Sequence, residues 1–195
     1  MKFKSLLCGG GRAVVVAGFI WLVATGLLGC AAAKPTAAAS AVTTVYIVRH
    51  AEKDPTPGLP DPVLTPAGGQ RAQALREKLG QEPIAAIFTT NTTRTRTTAA
   101  PLAAKLQLTP QVYDARQLSA LIERIKTEYQ GKKVLVVGHS NTILETAEAL
   151  GATRPVATVP DYEHSYLLEV RLPATGAATA TSQPYGAATV VPAAK

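Results

Sequence analysis

Four apolar runs punctuate the middle of the chain: VYIV at 45–48, IAAIF at 84–88, VLVV at 134–137 and YLLEV at 166–170. Each has the length of a strand, and VLVV, continuous in apolar and mostly β-branched residues, has the pattern of a parallel strand covered on both faces. Between the runs the apolar positions take on a helical period. Thr65 is placed to cap a helix with Pro66 in its first turn, and Ala72, Leu75 and Leu79 fall on one face. A second helix is predicted from about Thr97 to Leu106, followed by a short strand at QVY, 111–113. A third helix, Gln117 to Tyr129, lines up Leu118, Leu121, Ile122 and Ile125, and a fourth runs from Thr142 to Leu150 and ends before Gly151. LLEVRL at 167–172 is predicted to form a terminal hairpin with AATATSQPYG through a turn at Pro173 to Gly176. Strands alternating with helices imply an α/β fold of three layers, with a mostly parallel central sheet and helices on both faces. No internal repeat is visible beyond this alternation.

The two ends read differently. MKFKSLLCGGGR is basic and is followed by an apolar run of 16 residues, Ala13 to Leu28. That run is shorter than the roughly 20 residues a membrane span needs and suits the core of a signal peptide. It closes on Leu27-Leu28-Gly29-Cys30, which resembles the bacterial lipoprotein signal, in which the cysteine is lipidated and becomes the mature N-terminus. An uncleaved anchor is the alternative. In either case the basic flank stays in the cytoplasm and the remainder is exported, to the periplasmic or cell-surface side. The expected organisation is a signal peptide at 1–29, an Ala-rich linker at 30–43, a folded domain at 44–186 and a disordered tail at 187–195. The only cysteines are Cys8 and Cys30, so the domain has neither a disulfide nor a thiol nucleophile. Without Lys2, Lys4 and Arg12 the formal net charge falls from +7 to +4, with 17 basic and 13 acidic residues. No dense basic run suggests nucleic acid; the modest excess suits a small anionic ligand or a solvated surface.

The candidate chemistry gathers at one edge of the expected sheet. TVYIVRHAEK delivers Arg49 and His50 after the first strand, TTNTTRTR delivers Arg94 and Arg96 after IAAIF, and KVLVVGHSNT delivers His139 after VLVV. In open parallel sheets ligands bind beyond the carboxyl ends of the strands, where the following helices point their amino ends. An arginine fork matches phosphate oxygens in geometry and charge. One imidazole with a free lone pair can attack phosphorus in line while arginines and a second imidazole neutralise the oxygens. The sequence contains no Walker loop, HExxH, GxSxG or cysteine-containing phosphatase loop. Glu52 and Asp54 beside His50 match no standard ligand spacing, so neither a metal nor a cofactor is expected.

These motifs together resemble the histidine phosphatase superfamily, the phosphoglycerate-mutase-like fold, and most closely its short single-domain bacterial branch. VRHAEK is similar to the Arg-His signature, and LTPAGGQRAQAL to a Leu-Thr-x-x-Gly helix start. Thr90, Arg94, Thr98 and Ala99 fit Ser/Thr-x-x-x-Arg-x-x-x-Thr-Ala, and VLVVGHSNT fits the strand and turn of the second histidine. The resemblance implies that His50 is the nucleophile that becomes phosphorylated. It also implies that Arg49 and Arg94 clamp the phosphoryl oxygens, and that His139 completes the substrate pocket. Two departures stand out. Ala51 replaces a frequent glycine, and no Glu-Gly or His-Asp acid motif supplies a proton donor, leaving Asp114 and Glu52 as candidates. Arg96 is a weaker candidate for phosphate contact; Arg71 and Arg96 read as solvated helix-face residues, and His164 as a surface or supporting group. The implied function is an exported, lipid-tethered, metal-independent phosphatase of small phosphate esters. The alternative is a non-catalytic phosphate-binding envelope lipoprotein of the same fold. The loops between Asp54 and Pro62 and between Leu150 and Glu163 are expected to shape the pocket mouth; the oligomeric state is open.

Overall fold

The computed structural model describes residues 41–189. The expected signal peptide, Cys30, most of the linker and the last six residues of the tail lie outside them. Among the described residues, no helix is long and apolar enough to cross a membrane.

Six strands form one sheet: β1 (Thr43–Arg49), β2 (Ile84–Thr89), β3 (Gln111–Val112), β4 (Lys133–Gly138), β5 (Tyr166–Leu172) and β6 (Thr179–Pro184). Their order is β3-β2-β4-β1-β5-β6. The ladders among β3, β2, β4 and β1 are parallel, and β5 and β6 add two antiparallel ladders at one side. The helices are α1 (Pro66–Leu79), α2 (Thr93–Leu106), α3 (Leu118–Glu128) and α4 (Ile143–Ala149).

The period of two along each strand divides the core into two layers. Val45 and Ile47 of β1 with Val134 and Val136 of β4 face Leu121, Ile122 and Ile125 of α3 and Ile143, Leu144 and Ala147 of α4. Tyr46, Val48, Leu135 and Val137 alternate with them and meet Leu75 and Leu79 of α1 and Ala99 and Leu102 of α2. Every residue of VLVV is fully buried, as a strand covered on both faces must be. The expected three-layer α/β fold and its terminal hairpin are therefore present.

Two helix starts are set by contacts on the pocket side. Thr65 caps α1 by accepting from Gly68 N at 3.1 Å. A Cβ on Gly68 would lie 2.1 Å from the Glu52 carbonyl oxygen, so this helix start can seat against the chain after β1 only without a side chain there. Helix α2 begins at Thr93, four residues before the sequence-based expectation. Its cap is not local: Asp61, in the loop after β1, accepts from Thr93 N through both carboxylate oxygens at 3.0 Å.

Candidate functional site

Parallel neighbours β1 and β4 bring their carboxyl ends level, with Arg49 opposite Gly138 and His50 N donating to Gly138 O at 2.9 Å. The residue after each strand end is a histidine. The His50 and His139 rings stand edge to face with centroids 5.4 Å apart, so two segments 89 positions apart in sequence meet in one place. Gly138 makes room for this, because a Cβ there would press to 2.9 Å from Thr142 Oγ1 and 3.1 Å from the Tyr113 hydroxyl.

The turn carrying His50 is fastened from α2. Ala51 N donates to Thr98 Oγ1 at 2.9 Å, and that hydroxyl donates to Arg94 O at 2.7 Å. A single threonine thus couples the turn after β1 to the helix that carries Arg94. His50 Nδ1 lies 2.8 Å from Ala51 O. A carbonyl can only accept, so Nδ1 holds the proton and Nε2 keeps its lone pair. Burial pushes the His50 pKa down to about 3; the Ala51 hydrogen bond opposes this, while Arg49, His139 and Arg94 add to the depression. His139 is lowered to about 4, first by burial and then by Arg94 and Arg49. Both imidazoles are therefore neutral at pH 7 beside two guanidinium groups. His139 Nε2 lies 2.9 Å from Thr90 Oγ1, which in turn sits 3.1 Å from Thr95 Oγ1. Thr95 gives its proton to backbone carbonyls, so Thr90 can shift its own between Thr95 and His139.

The two arginines share a pattern. Arg49 is 6% exposed, and its Nη1 donates to the carbonyls of Pro160, Asp161 and Glu163 at 2.8–3.0 Å. Burial lowers its pKa, with the Asp161 and Glu163 charges opposing. The proline-containing loop after α4 thus holds the guanidinium from one end. Arg94 is held from its Nη1 side too, 3.6 Å from Asp61 Oδ1. In both residues Nε is buried and, among the described residues, has no hydrogen-bond partner. An uncompensated buried N–H is costly, and two of them next to a pair of neutral imidazoles make a site complementary to a multivalent oxyanion.

Of the sequence-predicted residues, His50, His139, Arg49 and Arg94 come together, and Glu52 and Asp114 occupy different surroundings. Glu52 is bound in a fork by Arg71, with Nε at 2.9 and 3.0 Å and Nη2 at 2.7 Å. Burial alone would raise its pKa, but the Arg71 hydrogen bonds and charge outweigh burial and leave it lowered. Asp114 lines an open groove with Thr90, Val112, Tyr113 and His139. Its side chain holds Arg116 through backbone N, Nε and Nη2, and those hydrogen bonds lower its pKa. Arg96 is exposed and bonds Asn91, as a solvated helix-face residue would.

Arg71 departs from the expectation of a solvated residue. It is 4% exposed, and beyond Glu52 it donates from Nη1 to Tyr185 O at 2.8 Å. No apolar period could show this, because its partners lie 19 and 114 positions away. His164 is buried at 8% exposure and donates from Nδ1 to His50 O at 2.8 Å, its ring 5.7 Å from that of His50. It therefore supports the turn of the first histidine directly. Among the described residues, no group of three or more His, Cys, Asp or Glu side chains is arranged to hold a metal ion.

The arrangement can be compared with known proteins. Residues 45–117 match the family model of the histidine phosphatase superfamily (branch 1), the segment that carries Arg49, His50, Arg94 and Asp114. A mycobacterial glucosyl-3-phosphoglycerate phosphatase superimposes with a TM-score of 0.56 at 15% identity, over 67% of this chain and 90% of its own. The fold is that of the histidine phosphatases. The protein histidine phosphatase SixA, solved with tungstate, gives a TM-score of 0.55 at 20% identity over 72% of this chain and 96% of its own. A second mycobacterial protein, hydrolase 2, gives 0.58 at 15% identity over 78% and 94%. No curated protein matches the chain at the sequence level. The histidine phosphatase superfamily, expected from the motifs, is thus supported by the family model and by the fold of these neighbours.

Proposed function

We propose that the chain is a phosphatase that hydrolyses small phosphate monoesters through a phosphohistidine on His50, with no metal in the reaction. The observation that carries this reading is the 2.8 Å approach of His50 Nδ1 to Ala51 O: a carbonyl only accepts, which puts the proton on Nδ1 and leaves a lone pair on Nε2. His50 Nε2 attacks phosphorus in line as the bond to the ester oxygen breaks. Water then attacks the phosphohistidine, the P–N bond breaks, and phosphate leaves with His50 restored. The unpartnered Nε groups of Arg49 and Arg94 match the phosphoryl oxygens, and His139 stabilises their charge in transfer. Two neighbours of the same fold were solved with tetrahedral oxyanions, SixA with tungstate and the glucosyl-3-phosphoglycerate phosphatase with inorganic phosphate, which agrees with an anion site here.

Of the candidate proton donors, Asp114 is the better placed, because it borders the groove that His139 lines, whereas Glu52 is committed to Arg71. Asp114 must give up its Arg116 contacts to carry a proton, which favours leaving groups that depart readily, such as aryl phosphates, acyl phosphates or phosphohistidine. The signal-like segment at 1–29, followed by Cys30, supports an exported enzyme held at a membrane by lipid, acting on small phosphorylated molecules and not on nucleic acid.

The test is phosphate release by the purified chain with chelator present, beside His50→Ala. The wild type should turn over and form an acid-labile phosphoenzyme; the variant should fold, lose at least about a thousandfold in kcat and take up no label. Normal turnover by the variant would remove His50 as nucleophile. A folded wild type that binds phosphate without turnover would favour a binding lipoprotein.

A further inference from the structure

Arg49 is fastened by three backbone carbonyls, but Arg94 has only one side-chain anchor among the described residues. That anchor is Asp61, in the loop after β1, and it serves two groups at once. Its carboxylate accepts from Thr93 N and, through Oδ2 at 2.6 Å, from Thr93 Oγ1. It also stands 3.6 Å from Arg94 Nη1, too far for a hydrogen bond and close enough for charge attraction. The local sequence supplies no other cap, since the Thr92 side chain makes no capping bond to α2. One carboxylate therefore fixes where α2 begins and engages one end of the guanidinium that this helix carries.

We infer that Asp61 is the positioning residue of the oxyanion site: it holds the Nη1 end of Arg94 so that the buried, unpartnered Nε is left for phosphate. The inference rests on the phosphate-binding role given to Arg94 above. Bidentate recognition of an oxyanion uses one edge of the guanidinium plane, and a carboxylate engaged with Nη1 leaves the edge that contains Nε. Asp61 does not itself touch the phosphate or supply a proton. Its hydrogen bonds from Thr93 lower its pKa and favour the carboxylate. Arg94 is 19% exposed in its side chain and Asp61 42%, so the pair acts at the pocket edge, where such a contact has a modest strength.

The experiment compares Asp61→Asn, Thr93→Ala and the wild-type full-length chain in detergent, by calorimetric titration with inorganic phosphate and by melting temperature. Asparagine still accepts from Thr93 but has no charge for Arg94; Thr93→Ala removes a hydroxyl bond to Asp61 and keeps the charge. The expected result is that Asp61→Asn melts with the wild type and binds phosphate about two- to fivefold more weakly, with Thr93→Ala binding as the wild type does. In steady-state assays the same factor should appear in KM, with kcat unchanged. Equal or tighter binding by Asp61→Asn overturns the inference, as does an equal loss in Thr93→Ala, which would mean a purely structural role. Absence of phosphate binding in every form, wild type included, overturns it together with the role given to Arg94. Phosphate binding without turnover in the wild type would refute the phosphatase reading alone, since the Asp61 comparison is read from binding.

Discussion

An imidazole buried beside two guanidinium groups gives up its proton easily, and the two central histidines show what that does to pH behaviour. The His50 pKa lies at about 3 and the His139 pKa at about 4, both below the ordinary value of about 6.5. Both groups are therefore neutral in the unliganded protein throughout the mildly acidic range. The acidic limb of kcat/KM, corrected for ionisation of the substrate, should fall near pH 4; a limb near 6.5 would mean that these rings are not desolvated as described. Stability follows the same groups. Between the folded and unfolded values the unfolded chain binds more protons, so stability rises with pH there. The contribution is fully present above about pH 6.5 and is lost as pH falls toward 4 and then 3, which a series of melting temperatures will record.

At the scale of elements, the ends of α1 and α2 matter more than their middles. Helix α1 enters through the Thr65 cap and the bare backbone at Gly68, which meets the Glu52 carbonyl. Thr65→Ala should cost about 1 kcal/mol, measured by urea unfolding. Gly68→Ala should cost more, although alanine is the better helix former, because its Cβ must displace backbone. If Gly68→Ala is neutral or stabilising, the contact with Glu52 is not tight. The same helices show what the sequence can reveal. The period of Ala72, Leu75 and Leu79 and the unbroken VLVV are local, and they marked α1 and β4 directly. The start of α2 was hidden because its cap comes from Asp61, 32 positions upstream. His50, His139, Arg49 and Arg94 were legible because each follows a recognisable strand or sits in a spaced motif. Arg71 and His164 were not, since a charged or polar residue is buried only when distant partners satisfy it, and those partners leave no periodic trace.

Across the whole molecule, the Glu52–Arg71 fork joins parts of the chain that the sheet alone would hold loosely. It runs from the turn after β1 through α1 to the Tyr185 carbonyl beyond β6, and Arg71 also lies 5.7 Å from the Tyr185 ring centroid. The Arg71 side chain is 3% exposed and Glu52 27%, so removing the acid leaves a buried cation. Glu52→Ala should therefore destabilise the fold by about 3 kcal/mol, and adding Arg71→Met should restore much of it. If the double variant is no better than the single one, the cost of Glu52→Ala does not arise from an unpaired Arg71. The chain continues in contact past this fork, with Thr189 Oγ1 donating to Glu163 at 2.8 Å.

The direction of β1 carries one more consequence. The strand runs from Thr43 to Arg49 and ends at the pocket, so the polypeptide enters the domain at the opposite pole, about 20 Å away. The point where β1 begins and the pocket thus lie on opposite sides of the folded domain. In the proposed phosphatase, phosphorylated molecules therefore reach the pocket from the pole opposite the one at which β1 begins.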